Sequence, residues 1–191
     1  MVDTIFAIVI VSAIAGFFAK LTDEIEDRGI KSKIGYLFAL IYGAAGAYLA
    51  GALQLATLWI ATASANVLAR KIDCKMHALA LVVFVLGTLA FGITTFSIPL
   101  FMFFLFFAAL DEVHVPAGKT DLVSGIISRR LTLVIMCLAV ALVFGVWEFF
   151  VSILSFDVAY FVGEKAGWKL YPAKKVEAQK KVKKASRKKR K

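Results

Sequence analysis

Four carboxylates, Asp23, Glu24, Glu26 and Asp27, crowd into the stretch LTDEIEDRG. Asp23 and Asp27 stand four residues apart, as do Asp73 and His77, so each pair shares a face wherever a helix runs through it. Asp111 and Glu112 close one apolar run, and Asp157 lies inside another, flanked by LSF and VAY. Carboxylates and an imidazole at such spacings can hold a divalent cation. Oxygen-rich sets favour Mg2+ or Mn2+, an added histidine admits Zn2+, and magnesium usually completes its shell with phosphate oxygens and water. The chemistry expected is therefore phosphate chemistry. Asp23, Asp27, Asp111 and Glu112 are the expected metal ligands. Asp73, His77 and Asp157 are the expected catalytic groups, and Arg70 and Lys71 the phosphate contacts.

The same acids admit plainer uses. Those of residues 20–33 can pair with Lys20, Arg28, Lys31 and Lys33, and exposed pairs of that kind contribute little. Glu148 beside Trp147 reads as an interfacial residue, and His114 as a loop residue. Asp157 stands apart: a carboxylate inside an apolar run must be paired, protonated or turned to a cavity.

The elements that would position these groups follow from hydropathy. The chain has 191 residues, is 61% hydrophobic and has a mean hydropathy of +0.83. An ordinary soluble domain is less apolar. Uncharged stretches cover 4–19, 34–69 and 76–110, and 131–163 is broken only by Glu148 and Asp157. The first suits one helix. The others are too long for one span and suit a tight pair each, with turns expected near Gly51 and Gln54, near Thr94 to Pro99, and near Trp147 and Glu148. The expected fold is all-α: a polytopic integral membrane protein of seven short transmembrane helices, one plus three hairpins, over residues 1–170.

All 23 lysines and arginines fall in 20–33, 70–75, 119–130 and 165–191. Seven spans with the N-terminus outside put every one on one side, which the positive-inside rule makes cytoplasmic. The expected location is the cell membrane, multi-pass. Residues 171–191 form a separate basic tail; from 174 onward it has eleven Lys or Arg against Glu177 alone. Such a stretch cannot bury a core, and its charge suits anionic lipid headgroups or RNA. Residues 120–130, TDLVSGIISRR, read as a short interfacial amphipathic helix. Two small-residue rows, Gly43–Ala47–Gly51 and Ala61–Ala65–Ala69, suit close helix packing.

Familiar motifs are missing. PAGKTD (116–121) carries GKT, but Val113 stands where a phosphate-binding loop needs glycine. Cys74 and Cys137 fit neither a disulfide framework nor a CxxC metal site. TDEIE resembles in part the acidic motif of UbiA-type prenyltransferases, which bind diphosphate through magnesium; Thr22, Glu26 and Ile30 depart from it, and no family is assigned.

The expected function is that of a divalent-metal-dependent enzyme acting on a lipid or isoprenoid phosphate at the cytoplasmic face. The alternatives are a cation or proton-coupled transporter or channel, with Asp157 and Glu112 as carriers, and a membrane scaffold or insertion factor. Convergence of Asp23, Asp73, His77, Asp111 and Asp157 on one cavity separates the first from the last.

Overall fold

The structure, a computed structural model, describes residues 2–30, 32–112 and 131–171. Among these there are seven helices and no strands: α1 (Val2–Asp27), α2 (Ile34–Ala50), α3 (Ala56–Leu68), α4 (Lys75–Phe91), α5 (Ile98–Asp111), α6 (Thr132–Phe144) and α7 (Trp147–Leu170). One helix is followed by three pairs, each joined by a short turn. The expected amphipathic helix at 120–130, His114, and the basic tail from 172 onward lie outside the described residues.

Local chemistry explains the breaks. Gly92 ends α4 with φ 83° and Gly145 ends α6 with φ 72°, a region open to glycine because it has no Cβ. Ser97 caps α5 by accepting the Leu100 N–H, and Pro99 sits in the first turn, where its missing N–H does no harm. The third turn therefore falls at Gly145 and Val146, ahead of the expected Trp147 and Glu148, which instead open α7.

The contacts fix the directions of the helices. Along the α1–α7 seam, Ser12 meets Ser152, Gly16 meets Phe156, Gly163 meets Phe17 and Gly167 meets Glu24, so the two helices run parallel. Gly43 meets Ala80, Gly46 meets Phe84 and Ala47 meets Gly87, so α2 and α4 also run parallel. The seams depend on missing side chains. A Cβ on Gly16 would collide with the Phe156 carbonyl, and one on Gly43 would lie 2.6 Å from the Ala80 carbonyl oxygen. The Gly43–Ala47–Gly51 row thus lies against α4, while Ala61 and Ala65 are buried with Phe104 of α5 and Cys137 of α6.

The turns 51–55 and 92–97 join at one end, where Thr95 donates to the Gln54 carbonyl and the Ser97 N–H to Thr57. His77–Asp23, Lys71–Glu112 and Asp111–Thr132 contacts lie at the other. Odd-numbered helices therefore run one way and even-numbered ones the other. All described lysines and arginines gather towards the second end: Lys20, Arg28, Lys33, Arg70, Lys71, Lys75, Lys165 and Lys169.

By length and composition one described helix, from Asp3 to Asp27, is long and apolar enough to cross a membrane. The other apolar helices, α2 to α6, have 13 to 17 residues. Large apolar side chains face outward over much of the surface: Phe6, Leu86, Leu89, Ile98, Leu142, Val143 and Phe144 are 62 to 73% exposed.

Candidate functional site

α1 does not stop at the end of its apolar run. It continues through the acidic stretch to Asp27, and its 3.6-residue period deals the acids to different faces. Asp23 and Glu26, three apart, turn towards α4. Glu24 turns towards α7, where its carboxylate takes Arg28 at 2.6 Å and Lys20 at 3.3 Å. Arg28 in turn donates to the Tyr171 carbonyl, joining the end of α1 to the end of α7. Glu24 is a structural ion-pair centre.

α4 begins where Cys74, in extended conformation, caps the helix by accepting the His77 N–H at 3.4 Å. This start corrects the expected Asp73–His77 face: the helix opens at Lys75, so Asp73 lies in the preceding loop, exposed. His77 is held from both sides. Its Nδ1 is 2.7 Å from the Tyr42 hydroxyl of α2. Its Nε2 is 3.1 Å from Asp23 Oδ1 and 3.6 Å from Glu26 Oε2. Tyr160 of α7 donates to the other oxygen of Asp23. Three helices thus meet at one imidazole, and α7 reaches it through Asp23. Burial pushes the neighbouring Cys74 thiol up to about 11, and its hydrogen bond with Glu26 acts in the same direction. Glu26 Oε2 is buried and has no hydrogen-bond partner.

A cavity of about 630 Å³ opens beside this cluster. Eight carboxylates line it: Asp23, Glu26 and Asp27 of α1, Asp73 of the loop, Asp111 and Glu112 at the end of α5, and Asp157 and Glu164 of α7. Lys20, Lys71 and His77 line it too, and its far part is apolar, with Ala15, Trp59, Phe84, Ile153 and Phe156. Beneath that part, Ser12, Ser152 and the Trp59 indole are hydrogen-bonded to one another at 2.8 and 3.1 Å.

The expected residues therefore meet at one cavity, with one exception, but they are differently engaged. Arg70 is the exception; it is exposed and does not line the cavity. Asp111 receives the N–H groups of Thr132 and Leu133 on its two oxygens, each at 2.9 Å, and so caps α6 from the end of α5. Glu112 pairs with Lys71 at 3.5 Å. Asp27 is exposed at the last residue of α1. Asp157 lies near the middle of the 24-residue α7, which runs on to Leu170.

Residues outside the expected set are Glu26, Cys74, Tyr42, Tyr160 and Lys20. Two of them left a trace in the sequence. Glu26 follows Asp23 at i,i+3, and Cys74 precedes His77 by three, the spacing of a cap and the first helical turn. Tyr42 and Tyr160 reach the site only through helix packing.

What fold and site define is an all-helical bundle with a charged, acid-rich cavity at its basic end. The chain matches no protein-family model, no curated protein and no solved structure with which it was compared.

Proposed function

We propose that the chain is a multi-pass membrane protein whose cavity takes an amphiphilic phosphate, a lipid or isoprenoid phosphate, and acts on it with the help of a divalent cation. Membrane embedding is supported by the outward apolar side chains, far more than a soluble monomer leaves uncovered. The gathering of basic residues at one end makes that end cytoplasmic in this reading. The observation that carries the function is the cavity itself, charged at the basic end and apolar beyond, a shape suited to a phosphate head and a hydrocarbon tail.

The cation follows from electrostatics. Two like unit charges 4 Å apart repel by about 4 kcal/mol at an effective dielectric constant of 20. A phosphate facing eight carboxylates and two lysines needs a divalent ion between. Asp23, Glu26 and His77 would hold that ion, with Mg2+ or Mn2+ as the oxygen-binding candidates. Lys20 and Lys71 would contact the phosphate. Asp157, further along the cavity, is the acid–base candidate nearest the apolar part. The reaction that suits the site is transfer or hydrolysis at the phosphate.

The excess of carboxylates also favours a second reading, a cation or proton-coupled transporter with Asp157 and Glu112 as carriers. The interlocked Ser12, Ser152 and Trp59 beneath the apolar part weigh against a path continuing to the far side.

Thermal melting of the full chain in detergent separates the two. Ligand at a hundredfold excess over Kd adds about 2.7 kcal/mol to stability. A metal ion with a short-chain prenyl diphosphate or phosphatidate should raise the melting temperature more than either alone, and Asp23→Asn should remove the gain. A rise with metal alone, unaltered by any lipid phosphate, would sink the phosphate reading and leave the cation one.

A further inference from the structure

We infer that Glu26, Cys74 and His77 form a zinc site with three protein ligands and a fourth position facing the cavity. This rests on the divalent-cation reading above and revises it, with zinc in place of Mg2+ or Mn2+ and Cys74 in place of Asp23 among the ligands, and it needs no particular occupant of the cavity.

The three donor atoms already lie within 4.8 Å of one another. Zinc in tetrahedral coordination sits about 2.3 Å from sulfur and about 2.0–2.1 Å from nitrogen or oxygen, which places nitrogen and oxygen donors roughly 3.3–3.4 Å apart and sulfur roughly 3.5–3.6 Å from either. The 3.6 Å between His77 Nε2 and Glu26 Oε2 comes within about 0.3 Å of that spacing. The Cys74 sulfur, already within 4.8 Å of both, has to draw closer to them. The pieces come from two helix ends that share one apolar cluster, Ile25 of α1 and Met76 of α4 around Phe38. Cys74 and His77 occupy the cap and first turn of α4, and Glu26 arrives from the last turns of α1.

Two further observations point to a missing partner. Glu26 Oε2 is a buried oxygen without a hydrogen bond, and buried oxygens of that kind call for a physical reason. The Tyr42 hydroxyl, at 2.7 Å from His77 Nδ1, is placed to accept that N–H and leave the Nε2 lone pair for a metal. Outer contacts of this sort normally orient a ligating histidine. Asp23 stands 3.1 Å from Nε2 with its far oxygen held by Tyr160, and so flanks the open position, where it can take a proton from a bound water.

The donor set chooses the metal. A thiolate with an imidazole favours zinc, whereas Mg2+ prefers oxygen alone. On binding, the Cys74 thiol exchanges its proton for the Zn–S bond and the proton leaves to solvent. The metal-free rival is an ion pair, a protonated His77 between Asp23 and Glu26.

The test uses the full chain in detergent, stripped with chelator and then titrated with Zn2+ or Co2+. The wild type should retain one zinc per chain after dialysis, and cobalt should give a thiolate-to-metal charge-transfer band. Cys74→Ser keeps a helix-capping side chain, so it should fold normally by circular dichroism yet lose the band. Tyr42→Phe should weaken zinc binding about 10–100-fold, and Cys137→Ser should change nothing. Wild-type protein that retains no more zinc than Cys74→Ser, as the ion pair requires, or a cobalt band that persists in Cys74→Ser, overturns the site. The two proposals fail separately: zinc held without any response to lipid phosphate removes the phosphate reading alone. A lipid-phosphate response with Mg2+ in protein that holds no zinc removes the zinc site alone.

Discussion

Glu24 and Glu26 lie two residues apart on α1, and the helix turns them about 200° away from each other. Glu24 faces α7 in a closed environment: Lys20 and Arg28 bracket its carboxylate, and Gly167 leaves room for its side chain. Glu26 faces α4 in an open one, beside an imidazole and a thiol, with one oxygen unsatisfied. The same residue type is closed into a structural ion pair on one side and faces metal-ligating groups on the other. Charge density in a sequence does not separate these uses; the face does.

The contrast can be broken most directly at Glu24. Glu24→Gln leaves two partly buried cations without their counter-charge, and breaking such a pair destabilises by about 3 kcal/mol. Denaturation in detergent measures it, and a loss below about 0.5 kcal/mol would mean that the closed side is no more structural than the open one.

The open side has a chemical signature of nearly equal size. A thiol raised from 9.0 to about 11 holds its proton more tightly, so two pH units separate it from an unperturbed cysteine. In metal-stripped protein near pH 8, Cys74 should alkylate roughly a hundredfold more slowly than a free thiol, with the rate climbing about tenfold per pH unit until the pH nears 11. Glu26→Gln should speed the reaction by removing an acceptor and a nearby negative charge. A fast, pH-insensitive Cys74 would show that neither burial nor Glu26 holds the thiol proton, and an unchanged rate in Glu26→Gln would remove the part of Glu26 alone.

Asp111 tests a third kind of acid. Asp111→Ala frees two backbone N–H groups at the start of α6 and should lower stability by about 1–2 kcal/mol. It should do so with or without metal, because the role assigned to it is capping. A loss of metal response without any loss of stability would return Asp111 to the ligand set.

Asp27→Asn is the smallest expected change. An exposed acid at a helix end should alter stability by no more than about 0.5 kcal/mol and leave zinc retention untouched. Any larger effect would extend the open side to the last residue of α1.

The helices were largely legible in the sequence because they answer to local rules. Charge-free runs, glycines that permit positive φ, and Ser97 followed by Pro99 each act within a few residues, so the order of one helix and three pairs could be read from them. Gathering of the lysines and arginines at one end was legible for the same reason, since alternating direction follows once the turns are placed. The small-residue row of α2 announced a close packing seam but not its partner; only the folded chain sets it against α4. The site was legible as a population of acids and a histidine, and here the local rules ran out. Asp73 lost its helical register because Cys74 caps α4 after it, and Asp111 was committed to a helix that begins twenty-one residues later. Glu26 and Cys74 became neighbours only when α1 and α4 both packed against α2, and Tyr42 reached His77 from that helix between them. Sequence alone determined which residues must be helical and which end must carry the charge, because both depend on short-range sterics and hydropathy. Tertiary packing alone decided which carboxylates are paired and which face the cavity, because that depends on helix rotation and on what each face meets.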